Sequence, residues 1–227
     1  MSVDNPITFA GESADYRSAR NQLLQAEMEL RRKVAEVAAL RSALPPGHSV
    51  TEDYEFERQS PDDDSVTKIA LSSLFSLPDR SLVIYSFMNA NDSPPCPMCN
   101  AFLDAFNGVA RHARSQLNIA VVAKAGAGAL AQWAQQRGWS ELQLLSSANN
   151  DFNKDYLAES PDGQQLPMLH VFQRTASGVQ HSYSTELFFQ PPEAGQHPRH
   201  MDMLYPLWNL FDLTPEGRPE NWMPSIN

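Results

Sequence analysis

Between Ala14 and Leu44 the apolar positions Leu23, Leu30, Val34, Val37 and Leu44 recur at steps of seven, four and three residues. This spacing predicts a long helix with one apolar stripe. Glu27 with Arg31 and Glu29 with Lys33 supply i,i+4 pairs on its polar side, and Pro45-Pro46-Gly47 stops it. The stripe needs a surface to cover it. Its partner is expected to be the chain's own core or a second copy, so a homodimer is among the expected arrangements.

Downstream the pattern changes. Residues 50–64 read as irregular, with Asp62-Asp63-Asp64 as a solvated turn. Val66 to Ala70 reads as a short strand and Ser72 to Phe75 as a helical turn. Leu82 to Met88 is apolar on both sides, as a strand covered on both faces should be. Ala101, Leu103, Phe106, Val109 and Ala110 make a helical stripe within 101–114. Asn118 to Ala123 reads as a second central strand, and Ala127 to Arg137 as a helix closed by Gly138. A short strand follows at 142–145. Met168 to Gln173 and Val179 to Tyr183 suggest a hairpin around Ala176-Ser177-Gly178. The stretch 190–200 reads as a loop and 201–211 as a closing helix. This alternation predicts an α/β fold with a mixed sheet between helices. The domain boundary is expected near residue 50, with 1–50 a helical extension and 51–227 the α/β domain.

Composition narrows the function classes. Hydrophobic residues make up 42% of the 227, enough for a sizeable core. The formal net charge of −10 argues against nucleic acid and against an anionic membrane surface as partners. Met1-Ser2-Val3-Asp4-Asn5-Pro6 has neither a basic nor an apolar leader pattern, and no apolar run is long enough to span a bilayer. A cytoplasmic protein is the expectation.

The chemistry concentrates in Ser93-Pro94-Pro95-Cys96-Pro97-Met98-Cys99-Asn100, which holds both cysteines of the chain. A Cys-x-x-Cys between a strand and a helix suits thiol–disulfide exchange, because the helix N-terminus favours a thiolate. Pro97 suits the first helical position. Cys96 is then the expected nucleophile and Cys99, one turn later, the resolving thiol. The doublet Pro94-Pro95 would stiffen the approach. Pro95, Pro97 and Met98 flank the sulfur and are expected to meet substrate.

This order of elements around such a pair is the thioredoxin-like three-layer arrangement, carrying an N-terminal long-helix extension. In that arrangement Leu166-Pro167 would face the cysteines across the groove as further substrate-binding residues, with a cis bond before Pro167. An ordinary trans proline opening a strand is the alternative.

Other readings of the pair stand beside exchange chemistry. Two cysteines are half of a tetrahedral zinc site, but no second pair at finger spacing completes it within one chain, so no metal is expected. A buried inert pair is a second alternative. Thiol peroxidase is a third. Ser93 can stand in for the threonine of the peroxiredoxin pattern Pro-x-x-x-Thr-x-x-Cys, while Asn89 occupies its proline position. A non-catalytic binding module is a fourth.

The chain resembles a large bacterial family of thioredoxin-like proteins described as predicted dithiol-disulfide oxidoreductases of unknown function. The likeness runs from about Tyr16 to Arg218. It rests on Leu44-Pro45-Pro46-Gly47, Tyr85-Ser86-Phe87-Met88, Cys96-Pro97-Met98-Cys99, Arg137-Gly138-Trp139, Ser146-Ser147 and Asp151-Phe152-Asn153. It continues with His181-Ser182-Tyr183-Ser184-Thr185 and Asp212-Leu213-Thr214-Pro215-Glu216-Gly217-Arg218. The resemblance implies the fold and a Cys96–Cys99 redox cycle, but no substrate. From the chemistry of the pair, no organic cofactor is expected, and a disulfide-containing protein or small thiol is the expected partner. One departure stands out. The family tends to carry Ser-Arg-Ala-Pro where this chain has Ala123-Lys124-Ala125-Gly126, leaving Lys124 as the local source of positive charge. Ser146, Ser147, Asp151 and Asn153 read as turn and cap residues. His181 and Tyr183, two apart on a strand, are expected on one face and in packing roles. His112 reads as solvated, and Trp133 and Trp139 as packing residues.

Overall fold

The computed structural model describes residues 7–91, 93–194, 203–220 and 222–226. The chain divides into two compact units, Met1–Pro45 and Pro46–Asn227.

The first unit is built on α1, Ala14–Ser42. Ser13 caps it by accepting from the Tyr16 amide, and Asp15 and Arg41 complement the dipole at its two ends. No residue of α1 is buried. Along it Glu29 pairs with Arg32 and Lys33 with Glu36, both at i,i+3 rather than the expected i,i+4. On an exposed helix the two spacings are close in energy.

The second unit is a seven-stranded sheet in the order β2-β1-β5-β4-β3-β6-β7. The strands are β1 Glu55–Gln59, β2 Val66–Ala70, β3 Leu82–Ser86, β4 Asn118–Ala123, β5 Leu144–Ser146, β6 Met168–Thr175 and β7 Gly178–Ser184. β3, β4 and β5 run parallel, and the pairs at both margins are antiparallel. The helices are α2 Pro97–Ala113, α3 Ala127–Arg137, α4 Phe152–Asp155 and α5 Pro206–Phe211. The alternation of burial along the central strands sorts the core into two clusters. Tyr85, Val121 and Leu169 face one side, with Leu103 of α2, Leu130 of α3 and Trp208 of α5. Ile84, Val122, Leu145 and Phe172 face the other, with Leu71, Leu74 and Phe152. The mixed sheet therefore lies between two covering layers, the expected three-layer α/β arrangement. No helix among the described residues is long and apolar enough to cross a membrane.

Several boundaries differ from the sequence reading. The stretch 50–64 is not wholly irregular, since it contains β1. Only Phe56 of that strand is buried, so its charged neighbours hide the alternation. The strand expected over Leu82–Met88 stops pairing at Ser86, whereas α2 starts at Pro97, the first helical position expected for it. Within the closing helix expected over 201–211, residues 201 and 202 lie outside the described residues. Met203 has φ 69°, a left-handed value incompatible with a helix, and α5 begins only at Pro206. Residues 195–200 of the expected loop also lie outside the described residues. The edge of β7 is paired by the segment 48–50, through Val50 N–H to the Val179 carbonyl at 2.9 Å and His181 N–H to the His48 carbonyl at 3.1 Å.

Candidate active site

Beyond β3 the chain must turn back onto the sheet end, and backbone hydrogen bonds hold that turn. Phe87 N–H donates to the Val122 carbonyl at 2.8 Å, and Ala125 N–H to the Asn89 carbonyl at 2.9 Å. Gly126 N–H donates to Asn91 Oδ1 at 3.0 Å. Cys96 N–H closes the turn on the Met88 carbonyl at 3.1 Å. Cys96 is the N-cap of α2, with φ −59° and ψ 123°, and Pro97 occupies the first turn. Its sulfur does what a cap oxygen does elsewhere: it accepts the Cys99 amide at 3.5 Å.

The half-buried Cys96 and the buried Cys99 carry free thiols with opposite tendencies. The hydrogen bond from the Cys99 thiol lowers the Cys96 pKa most. Partial burial opposes it, the Cys99 and Met98 amides assist, and the outcome is about 6. Burial drives the Cys99 pKa well above its usual range, and donation to Cys96 pushes it the same way. Hydrogen bonds from the Tyr85 hydroxyl and the Met88 amide act on Cys99 in the opposite direction. Tyr85 itself is fully buried in β3, directly beneath α2.

The backbone of Cys96 is clamped as well. Its carbonyl accepts both Asn100 N–H at 3.0 Å and Asn100 Nδ2–H at 2.8 Å. Asn100 Oδ1 in turn accepts Trp133 Nε1–H at 2.7 Å, tying α2 to α3. Sequence reasoning did not single out Asn100 or Tyr85. The available signal was a polar side chain inside an apolar run, since a buried amide or phenol must find a partner.

Pro95, Pro97 and Met98 are half-buried around Cys96, and Met98 packs against the core beneath α2. Leu166 is half-buried and Pro167 buried. The Ser86–Met168 pairing of β3 with β6, continued by one residue, places Pro167 opposite Phe87, on the strand that leads to the cysteine loop. The expected cis bond is not present; the Leu166–Pro167 bond is trans. The residues before it are held extended, by the Glu159–Gln165 bridge and by Leu166 N–H to the Ala158 carbonyl at 2.8 Å. Extended backbone ahead of a proline is compatible with the ordinary trans form.

Lys124 does not serve the cysteines. Its Nζ donates to the Ser147 and Asn150 carbonyls at 3.2 and 3.0 Å and lies 3.5 Å from Glu159. Ser147, fully buried, donates to Asn153 Oδ1 at 2.7 Å, and Asn153 Nδ2 reaches Gln165 at 3.1 Å. These polar residues brace the segment leading to Pro167. His181 and Tyr183 do not share a face. A register shift pairs Val171 with Tyr183 but Phe172 with His181, and consecutive residues of β6 face opposite ways. His181 packs against His48, Tyr156 and Phe172. His112 is exposed, and Trp139 is buried with Nε1–H donating to Asp104 at 2.8 Å. Among the described residues no group of three or more His, Cys, Asp or Glu could hold a metal ion. A cavity of about 750 Å³ lies elsewhere, lined by Arg58, Gln59, Gln132 and Trp139, and holds none of the expected site residues.

A family model described as "Bacterial protein of unknown function (DUF899)" matches residues 7–227. The chain belongs to this family. Among solved structures, the DUF899 chain is similar to reduced Prx3 of Vibrio vulnificus in complex with H2O2. The identity is 14%, covering 72% of this chain and 99% of that one, with a TM-score of 0.50. A cysteine-to-serine mutant of peroxiredoxin Q from Xanthomonas campestris is 14% identical over 61% of this chain and 84% of its own, with a TM-score of 0.46. At such identity the first likeness shows the fold alone, a thioredoxin-like, peroxiredoxin-type fold. No curated protein matches the DUF899 chain.

Proposed function

We propose that this DUF899 protein is a dithiol–disulfide oxidoreductase in which Cys96 attacks and Cys99 resolves. The observation that carries the reading is the Cys96 sulfur at the α2 N-terminus, with the Cys99 amide 3.5 Å away and a pKa lowered to about 6. At neutral pH such a sulfur is mostly thiolate, the attacking species.

The exchange balances as follows. The Cys96 thiolate attacks one sulfur of a substrate disulfide, forms a mixed disulfide and expels the other sulfur as thiolate. Cys99 then gives up its proton to that thiolate or to solvent. Its sulfur attacks Cys96, releasing the second substrate thiol and leaving a Cys96–Cys99 disulfide. A thiol reductant must restore the dithiol. The cycle draws on the two sulfurs alone. Half-buried Pro95, Pro97, Met98 and Leu166 form the surface offered to a disulfide-containing protein or small thiol substrate, and the buried Pro167 adjoins it next to Leu166. Because the thiol of Cys99 is buried, the first attack falls to Cys96.

The test replaces Cys96 by Ser and follows turnover of a disulfide substrate with a thiol reductant. Activity at the wild-type level overturns the mechanism. Peroxide reduction is a second reading, favoured by the likeness to a peroxiredoxin solved with H2O2. There the same thiolate would attack one peroxide oxygen, giving a sulfenic acid and hydroxide, and Cys99 would expel water to form the same disulfide. Here Ser93 is exposed and Asn89 buried where that enzyme pattern carries Thr and Pro. Single-turnover rates with peroxide and with a model disulfide separate the two, because only the faster oxidant can be the physiological class.

A further inference from the structure

We propose that the exposed face of α1 binds the same face of a second copy of this chain, side by side and parallel. Within α1, Tyr16, Leu23, Leu30 and Val37 are spaced seven residues apart, and Leu44 continues the series just past its end. The positions three further on from the middle of that series hold Ala26, Lys33 and Leu40. Two interleaved seven-residue series are the seam of a two-stranded coiled coil. Tyr16, Leu23, Leu30 and Leu40 are 51%, 48%, 58% and 62% exposed and Val37 is half-buried, so most of the seam's apolar side chains are open to solvent. At 29 residues α1 is about 43 Å long, and a free helix with such a stripe gains much of its stability from a partner.

The charges flanking the seam choose the partner and its direction. Just before the seam positions stand Asp15, Gln22, Glu29 and Glu36. Four residues after them stand Arg20, Glu27, Val34 and Arg41. In a parallel pair each residue of the first set meets the one five further along on the other copy. Asp15 then meets Arg20 and Glu36 meets Arg41, each twice by symmetry, and no like charges meet. In an antiparallel pair the acidic first set would face itself. Glu36 also touches Lys33 of its own helix at 3.0 Å, an exposed contact that a second partner can share. Lys33 is the one charged residue in the seam, a placement that fixes register at some cost in stability.

The experiment uses the full chain with Cys96→Ser and Cys99→Ser, adding Leu23→Cys or Val37→Cys. Under oxidation each single variant should cross-link to itself, because equal positions meet only in a parallel pair. Cross-links that appear only when the two variants are mixed would overturn the parallel arrangement. A single-chain mass in sedimentation across the accessible concentration range would overturn the dimer. In the otherwise wild-type chain, Glu36→Arg should weaken association roughly tenfold, by turning two attractions into two repulsions. Glu36→Arg with Arg41→Glu should restore it. A weakening without rescue would mean the charges do not face each other and would overturn the register.

Discussion

The Cys99 amide lies 3.5 Å from the Cys96 sulfur, so one turn of α2 brings a donor to the atom that must carry charge. The same turn lets the Cys99 thiol donate to Cys96 as well. The two sulfurs thus differentiate each other. The half-buried Cys96 ionises easily, and the buried Cys99 resists ionisation until the first is spent.

This asymmetry sets a pH profile. Alkylation of Cys96 by iodoacetamide should inflect near pH 6, against about 8.5 for an ordinary thiol. Replacing Cys99 by Ala removes the largest cause of the depression and should move the inflection upward. The stability effect has a definite sign. With its folded value below its unfolded one, Cys96 contributes stability that is complete above the unfolded pKa and is lost as pH falls through about 6. An alkylation inflection at the free-thiol value would remove the electronic basis of the mechanism.

Tyr85 should matter to the second chemical step and not to the first. Its hydroxyl hydrogen-bonds to Cys99 and favours that thiolate. In Tyr85→Phe the mixed disulfide should collapse roughly ten- to a hundredfold more slowly at neutral pH, the worth of one hydrogen bond to a charged group. The rate should recover as pH rises. Cys96 alkylation should stay as in wild type. Quenched-flow trapping of the mixed disulfide reads both rates, and an unaltered collapse rate would exclude the tyrosine from the step.

Asn118 holds the entrance to β4. Its Oδ1 accepts Leu77 N–H at 2.8 Å and the Ser76 hydroxyl at 3.0 Å. Its Nδ2 donates to the Leu77 and Arg80 carbonyls, both at 2.9 Å. The residue is 3% exposed, so Asn118→Ala strands several backbone groups away from water. The expected loss is about 2–4 kcal/mol. Urea unfolding should show it as a lower midpoint with an unchanged slope.

The central strands and the Cys-x-x-Cys turn were legible in the sequence because their signals are local. β4 and α3 have the predicted ends, since Asn118 and Gly138 mark their own boundaries. β1 was not legible. Its charged residues Glu55, Glu57 and Arg58 surround a single inward Phe56, and antiparallel pairing with β2 on one side and β5 on the other makes it a strand. The Asn100–Trp133 clamp and the bulge that parts His181 from Tyr183 were hidden for the same reason. Each depends on a neighbour distant in sequence, 33 residues away for the clamp. Pro167 shows the limit of carrying a local feature over from a fold. Its bond follows the extended segment that the Ala158 carbonyl holds in place.

The face of the sheet opposite α2 carries its own acid sensitivity. His170 Nδ1 and His181 Nε2 each lie 2.7 Å from the Ser184 hydroxyl. One hydroxyl has one proton, so it donates to one ring and accepts N–H from the other. Burial, then the charge of His181, lowers the His170 pKa to about 3. His181 is lowered too, by burial and by the stacked His48 at 5.0 Å. A base whose folded pKa is depressed contributes stability that is complete above its unfolded value near 6.5 and is lost as pH falls toward the folded one. Between pH 6.5 and about 3 the fold should therefore weaken, with His170 contributing at most about 1.4 kcal/mol per pH unit. His170→Gln keeps a polar group facing Ser184 but has no proton to take up. Denaturation midpoints measured down this range should fall less steeply for His170→Gln than for wild type. Equal slopes would mean that His170 takes up its proton as readily in the fold as in the unfolded chain, and the buried neutral ring would have to be abandoned.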